Sequence, residues 1–131
     1  MSATSTDTRD RILALPAGGD LDQAFAAIVM GWIESSAGGG WVTAEGGEIP
    51  TLPAFSTVND WETIVMTDVS LHERHGLNVE LNDPGYDYVF TGSAYTEDGR
   101  HIVTVAGREY PEAYCKTAIA AVLALRDEAQ Q

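Results

Sequence analysis

Residues 77–106 read LNVELNDPGYDYVFTGSAYTEDGRHIVTVA, and the reading of this stretch fixes the fold class. Leu77 to Leu81 alternates apolar and polar residues, the period of a half-buried strand. Asn82-Asp83-Pro84-Gly85 follows as a turn, because Pro presets one turn dihedral and Gly supplies the positive one. Tyr86 to Tyr95 alternates again, with Tyr86, Tyr88 and Val89 or Phe90 set against polar neighbours. Glu97-Asp98-Gly99 turns the chain a second time, and Asp-Gly is a strong hairpin signal. His101 to Ala106 is the third strand, carrying Ile102, Val103 and Val105. Turns this short join only neighbours that run in opposite directions, so the three strands are an antiparallel meander.

Helical signals surround the meander. Downstream, Pro111 opens a last helix as its first residue, with Tyr114, Ala118, Ile119, Val122 and Leu125 facing inward. Upstream, Ser56 is the expected N-cap of a helix from Thr57 to about His75, which Gly76 stops. Its inward stripe is read as Val58, Trp61, Val65 and Val69, with His72 at the end. Earlier still, Asp20 caps an expected helix from Leu21 to about Ser35, in which Leu21, Phe25, Ile28, Val29 and Trp32 recur at helical spacing. Gly31 within it allows another element to approach closely. Thr6 caps a short first helix, with Ile12, Leu13 and Leu15 as its apolar side. Residues 37–53 are rich in Gly and Pro and read as a loop.

The expected fold is therefore α+β: a three-stranded antiparallel β-meander covered by about four helices, in the order α-α-α-β-β-β-α, with helices enough to cover both sheet faces. At 131 residues the chain suits one domain. We expect a flexible segment over residues 1–10, an α-β-α sandwich-like domain over 11–126, and a frayed tail over 127–131. No apolar run approaches the ~20 residues of a membrane helix. The polar N-terminus is not a secretory signal, so the cytoplasm is the expected compartment. The single cysteine, Cys115, falls on the apolar face of the last helix and reads as core.

Charge is the outlying property. Twenty acids face seven bases, a formal net charge of −13, and Lys116 is the sole lysine. No Lys or Arg occurs from Ile12 to Glu73, whereas Asp20, Asp22, Glu34, Glu45, Glu48, Asp60, Glu62, Asp68 and Glu73 do. Such a surface repels nucleic acid and anionic membranes and attracts basic proteins. The quantity alone does not imitate DNA. A domain of this mass exposes roughly 6,700 Å², so the surplus is about one charge per 500 Å², whereas DNA carries one per ~1.7 Å of its axis. Mimicry needs the acids gathered on one face. The candidate partner-binding residues are Glu34, Trp41, Glu45, Glu48, Asp60 and Asp68, with Trp41 as an aromatic anchor on the glycine-rich loop.

Leu15-Pro16-Ala17-Gly18-Gly19-Asp20-Leu21-Asp22, then Val29-Met30-Gly31-Trp32, resembles the opening of the phage α-β-α sandwich domain family. Phe55-Ser56-Thr57 before Trp61, the meander from Val79 to Val105 and the alanine-rich helix from Pro111 to Leu125 are similar to the rest of its pattern. The resemblance spans roughly residues 11–126. It implies a small accessory protein of a phage or prophage, working in the host cytoplasm, and it carries no catalytic residues.

Catalytic patterns are absent from the sequence. His72-Glu73-Arg74-His75 places its histidines at i and i+3, where a zinc-binding helix needs i and i+4. There is neither a Gly-x-Ser-x-Gly elbow nor a phosphate loop with its lysine. No basic stripe suits nucleic acid. The expected function is a non-enzymatic, cofactor-free acidic binding protein that inhibits a host nucleic-acid-guided defence complex, as anti-CRISPR proteins do. Its partner would be a basic host protein or nucleoprotein complex. The alternatives are a structural phage accessory protein, or a protein sequestering a small molecule or nucleotide signal, for which Arg74, Arg100 and Arg108 would have to converge.

Overall fold

The computed structural model describes residues 5–35, 40–57, 61–82 and 90–129. Its centre is a helix, here α4, running from Tyr110 to Ala129. Every residue from Cys115 to Leu123 is buried. A helix buried all round has structure on more than one side. One side of α4 packs on the meander, formed by β4 (Leu77–Asn82), β5 (Phe90–Thr96) and β6 (His101–Gly107) in that order. The other side packs on α1 (Ser5–Leu13) and on α2 (Gly19–Phe25) with the π-helical turn that continues it, Ala26–Met30. The remaining helix, α3, spans Trp61–His75 and packs on that π turn and on β4.

The layers thus run sheet, α4, then α1 and α2. On β4 the outward residues Asn78, Glu80 and Asn82 are exposed, as is Thr104 of β6. Val79, Ala94 and Val103 stand side by side across the strands on the α4 side. Small residues let α4 sit close: a Cβ added at Gly107 would lie 2.6 Å from the Ala113 amide nitrogen, and one at Gly92 only 2.4 Å from the Thr117 hydroxyl. Between Ala94 and Tyr95 the register with β6 jumps from Val103 to His101, a bulge that leaves Ile102 without a cross-strand partner.

The expected turns and stops are met where they are described. Gly99 closes the β5–β6 hairpin at φ 89°, and Gly76 ends α3 at φ 66° with its N–H on the His72 carbonyl. The turn at Asp83–Gly85, with Tyr86, Tyr88 and Val89, lies outside the described residues. Several boundaries differ. The second helix does not reach Ser35: its last turn widens to π geometry and ends at Gly31, φ 71°. Arg74 of α3 lies against Gly31, where a Cβ would come within 2.1 Å of its guanidinium. Gly18, not Asp20, holds the N-cap position of α2. Thr6 falls inside α1, and α1 begins within the segment expected to be flexible. Helix α4 continues through Asp127 to Ala129.

Residues 37–53 do not form a plain loop. Strands β1 (Ile33–Glu34), β2 (Trp41–Val42) and β3 (Glu48–Ile49) make a second, small antiparallel sheet. Trp41, Ile49 and Leu52 pack against the core cluster.

Two buried carboxylates tie the distant segments together. Asp22 Oδ1 accepts hydrogen bonds from the Ser56 N–H at 2.7 Å and from its hydroxyl at 2.6 Å. The Gly18 N–H donates to the same hydroxyl at 2.8 Å. Ser56 fastens its own turn to α2, a contact 34 residues long in sequence, while the residues it was expected to cap, 58–60, lie outside the described residues. Glu112 accepts from the Ala17 and Arg108 N–H groups and sits 3.7 Å from Lys116, the buried lysine. One carboxylate so anchors the α1–α2 link and the entry to α4. Such buried polar groups are stable only when paired.

Candidate functional site: the outer face of helix α3

Helix α3 is turned away from the expected stripe. Thr67 and Leu71 are buried, Thr63, Ile64 and His75 are half-buried, and Val65, Met66 and Val69 face solvent. Val69 is 47% exposed. His72, expected at the end of the inward stripe, is exposed too. Val58 lies outside the described residues, as does the side chain of Trp61. The helix had two apolar stripes to choose from, and the one carrying Thr67 lies against the core. Thr67 can do so because its hydroxyl donates to the Ile64 carbonyl at 2.9 Å.

Acidic residues border this apolar patch. Asp68, Val69, His72 and Glu73 line a shallow groove against Asn78 and Val79 of β4. His72 and Glu73 also line a second groove with Gly76, Thr96, Glu97 and Asp98, at the β5–β6 turn. The shared residues make one continuous strip carrying Asp68, Glu73, Glu97 and Asp98. His72 Nε2 lies 3.4 Å from Glu97 Oε1. The Thr96 hydroxyl donates to Asp98, and this bond above all holds the Asp98 carboxyl below the usual carboxylate range. Arg100, next along the turn, is drawn off by Glu128 through two hydrogen bonds of 2.9 and 3.0 Å.

The six candidate residues fall into different places. Glu34, Trp41, Glu45 and Glu48 gather on the small sheet and the turn within it. Glu34, Glu45 and Glu48 are exposed. Trp41 pairs with Glu34 on one side and Ile49 on the other, is half-buried, and leans on the core. It is therefore a covering residue more than a free anchor. Ile33, the neighbour of Glu34, is the exposed apolar side chain there, at 70%. Asp68 lies on α3 and belongs to the acidic strip. Asp60 lies outside the described residues.

Beside the strip, α3 and α4 part to leave a cleft of about 240 Å³. Phe55, Tyr110 and Tyr114 supply aromatic walls, Ile64, Leu81 and Pro111 aliphatic ones, and Thr63, Thr67 and Cys115 complete it. The Tyr114 hydroxyl donates to Asp68 across the helix pair. Burial, with the neighbouring Asp68 carboxylate, pushes the Tyr114 phenol well above its ordinary value, so it stays neutral. Burial likewise raises the Cys115 thiol, which is 1% exposed, as expected of a core cysteine.

His72 meets Glu97, whereas His75 Nε2 donates to the Val29 carbonyl at 2.8 Å, so the two histidines serve different partners. Among the described residues no group of three or more His, Cys, Asp or Glu side chains is placed to hold a metal ion. Arg74 lies on Gly31 and Arg100 on Glu128. No helix among the described residues is long and apolar enough to cross a membrane.

With this geometry in view, the chain was compared with known proteins. No family model matches it, and no curated protein does. Among solved structures it is similar to a phage protein from Bacillus cereus ATCC 14579, known from a 2.0 Å crystal structure. The likeness has a TM-score of 0.56 over 78% of this chain and 88% of the other, at 16% identity. At that identity the shared property is the fold.

Glu97, Asp98 and Tyr114 were not singled out in the sequence as site residues. The turn residues read as hairpin chemistry, and Tyr114 as one of several inward positions on an apolar helix. A hydroxyl at a core position was the available signal, since a buried phenol needs a partner.

Proposed function

We propose that this chain is a small phage accessory protein that works by binding. Its α3 face occupies a basic, nucleic-acid-binding surface of a host nucleic-acid-guided defence complex and so inhibits it, in the manner of an anti-CRISPR protein. The observation that carries the reading is the exposed Val65–Met66–Val69 patch bordered by Asp68, Glu73, Glu97 and Asp98. Apolar side chains give a docking core, and a rim of like charge selects a basic partner and speeds encounter. The net charge of −13 acts in the same sense over longer distance. The fold shared with a phage protein supports the phage setting.

Glu34, Glu45 and Glu48 of the small sheet and its turn, beside Trp41, stand as a second contact region that adds charge. Binding, rather than catalysis, is the activity this arrangement suits. The test is association of the purified chain with a guide-loaded effector complex over a salt series, with target DNA as competitor. The expected result is an association rate that falls steeply with salt, competition by DNA, and loss on replacing Val65 and Val69 by Ser. Binding that ignores DNA and both valines would sink the reading.

A further inference from the structure

The cleft between α3 and α4 lies beside the acidic strip, joined to it by the Tyr114–Asp68 hydrogen bond, and has its own chemistry. Protein interiors leave few voids larger than a water molecule. An apolar cavity of about 150 Å³ is already enough to hold benzene. The cleft here is about 240 Å³, with three aromatic rings in its walls. Its size suits a fused two-ring molecule, and flat rings pack well against Phe55 and the tyrosines.

Two of the cleft's hydroxyls, those of Thr67 and Tyr114, narrow the choice further. A hydroxyl carries one proton and two lone pairs. Thr67 gives its proton to the Ile64 carbonyl, and Tyr114 gives its proton to Asp68. Both protons are committed, so what these two residues offer a guest is acceptor lone pairs. The Asp68 carboxylate behind Tyr114 adds negative potential to that side. On the side of the cleft held by Thr67 and Tyr114, a phosphate or carboxylate would therefore be repelled, whereas an N–H or O–H donor would be welcomed.

We infer that the α3–α4 cleft is a binding site for a small, uncharged aromatic molecule bearing a hydrogen-bond donor, with Thr67 and Tyr114 as its acceptors. The site stands whether or not the α3 face binds a basic partner. It differs from a nucleotide site, since no cation lines it among the described residues.

Indole, benzothiophene and benzoate separate the contributions: ring and donor, ring without donor, and anion. They are titrated into the full chain by calorimetry, and amide shifts are followed by two-dimensional NMR. Indole is expected to bind saturably, with shifts concentrated at residues 63–67 and 110–115. Benzothiophene, which lacks the N–H, is expected to bind about tenfold more weakly, the factor that one net hydrogen bond supplies. Benzoate is expected not to bind. Ile64→Trp fills the cleft from a half-buried position and should abolish indole binding. If that variant does not fold, the shift map of the unaltered chain decides alone. No saturable indole binding, or shifts centred elsewhere, would overturn the site. Equal affinity for benzothiophene, or any comparable affinity for benzoate, would overturn the ligand class.

Discussion

Helices α3 and α4 both carry apolar residues at helical spacing, yet the protein treats them oppositely. In α4 the sequence from Cys115 to Leu123 is buried without a break, and its small residues, three alanines among them, let the sheet on one side and α1 and α2 on the other come close. In α3 a threonine lies inside while two valines and a methionine lie outside. The difference is one of neighbours. A helix enclosed on several sides has no polar face to place, so its orientation is over-determined. A helix docked along one side chooses among stripes, and hydrophobicity alone does not make the choice.

The largest expected effect tests the central position of α4. Glu112→Ala removes the carboxylate that holds Lys116 and two backbone N–H groups, leaving a buried cation unpaired. The cost is expected to be about 3–5 kcal/mol, read as a lowered urea midpoint. A loss under about 1 kcal/mol, within the range of exposed pairs, would mean that α4 is not enclosed as described.

The next pair tests the orientation of α3. Leu71→Ala should cost about 2–5 kcal/mol because it hollows the core. Val69→Ala, two residues earlier, should change stability by about 0.5 kcal/mol or less. Parallel denaturation curves check both, and similar losses for the two variants would restore the stripe read from the sequence.

A smaller effect attends the link between the helices. Tyr114→Phe removes the donor to Asp68 and should cost about 1 kcal/mol. The signature to look for is that Asp68→Asn on the Phe background adds little more.

The last test is a pH dependence. His75 lies between α3 and the π turn, and burial chiefly, with Arg74 and Arg126 adding repulsion, holds its imidazole below the ordinary value against the raising effect of the Val29 carbonyl. Below about pH 6.5, the ordinary value, the unfolded chain takes up a proton that the folded chain resists. The His75 contribution is therefore complete above that pH and is lost as pH falls toward the folded value. His75→Gln should flatten the stability profile between about pH 7 and 5 relative to the parent. An unchanged slope would place His75 in solvent.

The sequence was most readable where short-range chemistry decides. Gly76 and Asp98-Gly99 do their work within a few residues, and all three were placed by their backbone demands. Cys115 and the inward positions of α4 followed from period alone. Contacts between distant segments were not readable. Nothing near Ser56 shows that its hydroxyl will meet Asp22. Two-residue strands such as β1 and β2 are too short to show alternation, so the small sheet passed as loop. The acidic strip joins a helix to a hairpin turn, and the cleft collects residues from 55 to 115. Both exist only once the chain is folded.

The enclosed position of α4 bears on the order of events during synthesis. It is the last element of the described chain to leave the ribosome, and the sheet and the α1–α2 layer both pack on it. Until it emerges, Leu21, Phe25 and Leu77 lack the cover it gives them, and the nascent segments leave apolar sides exposed. Folding is then a late, concerted closure around an arriving core, not a growth outward from the first helices.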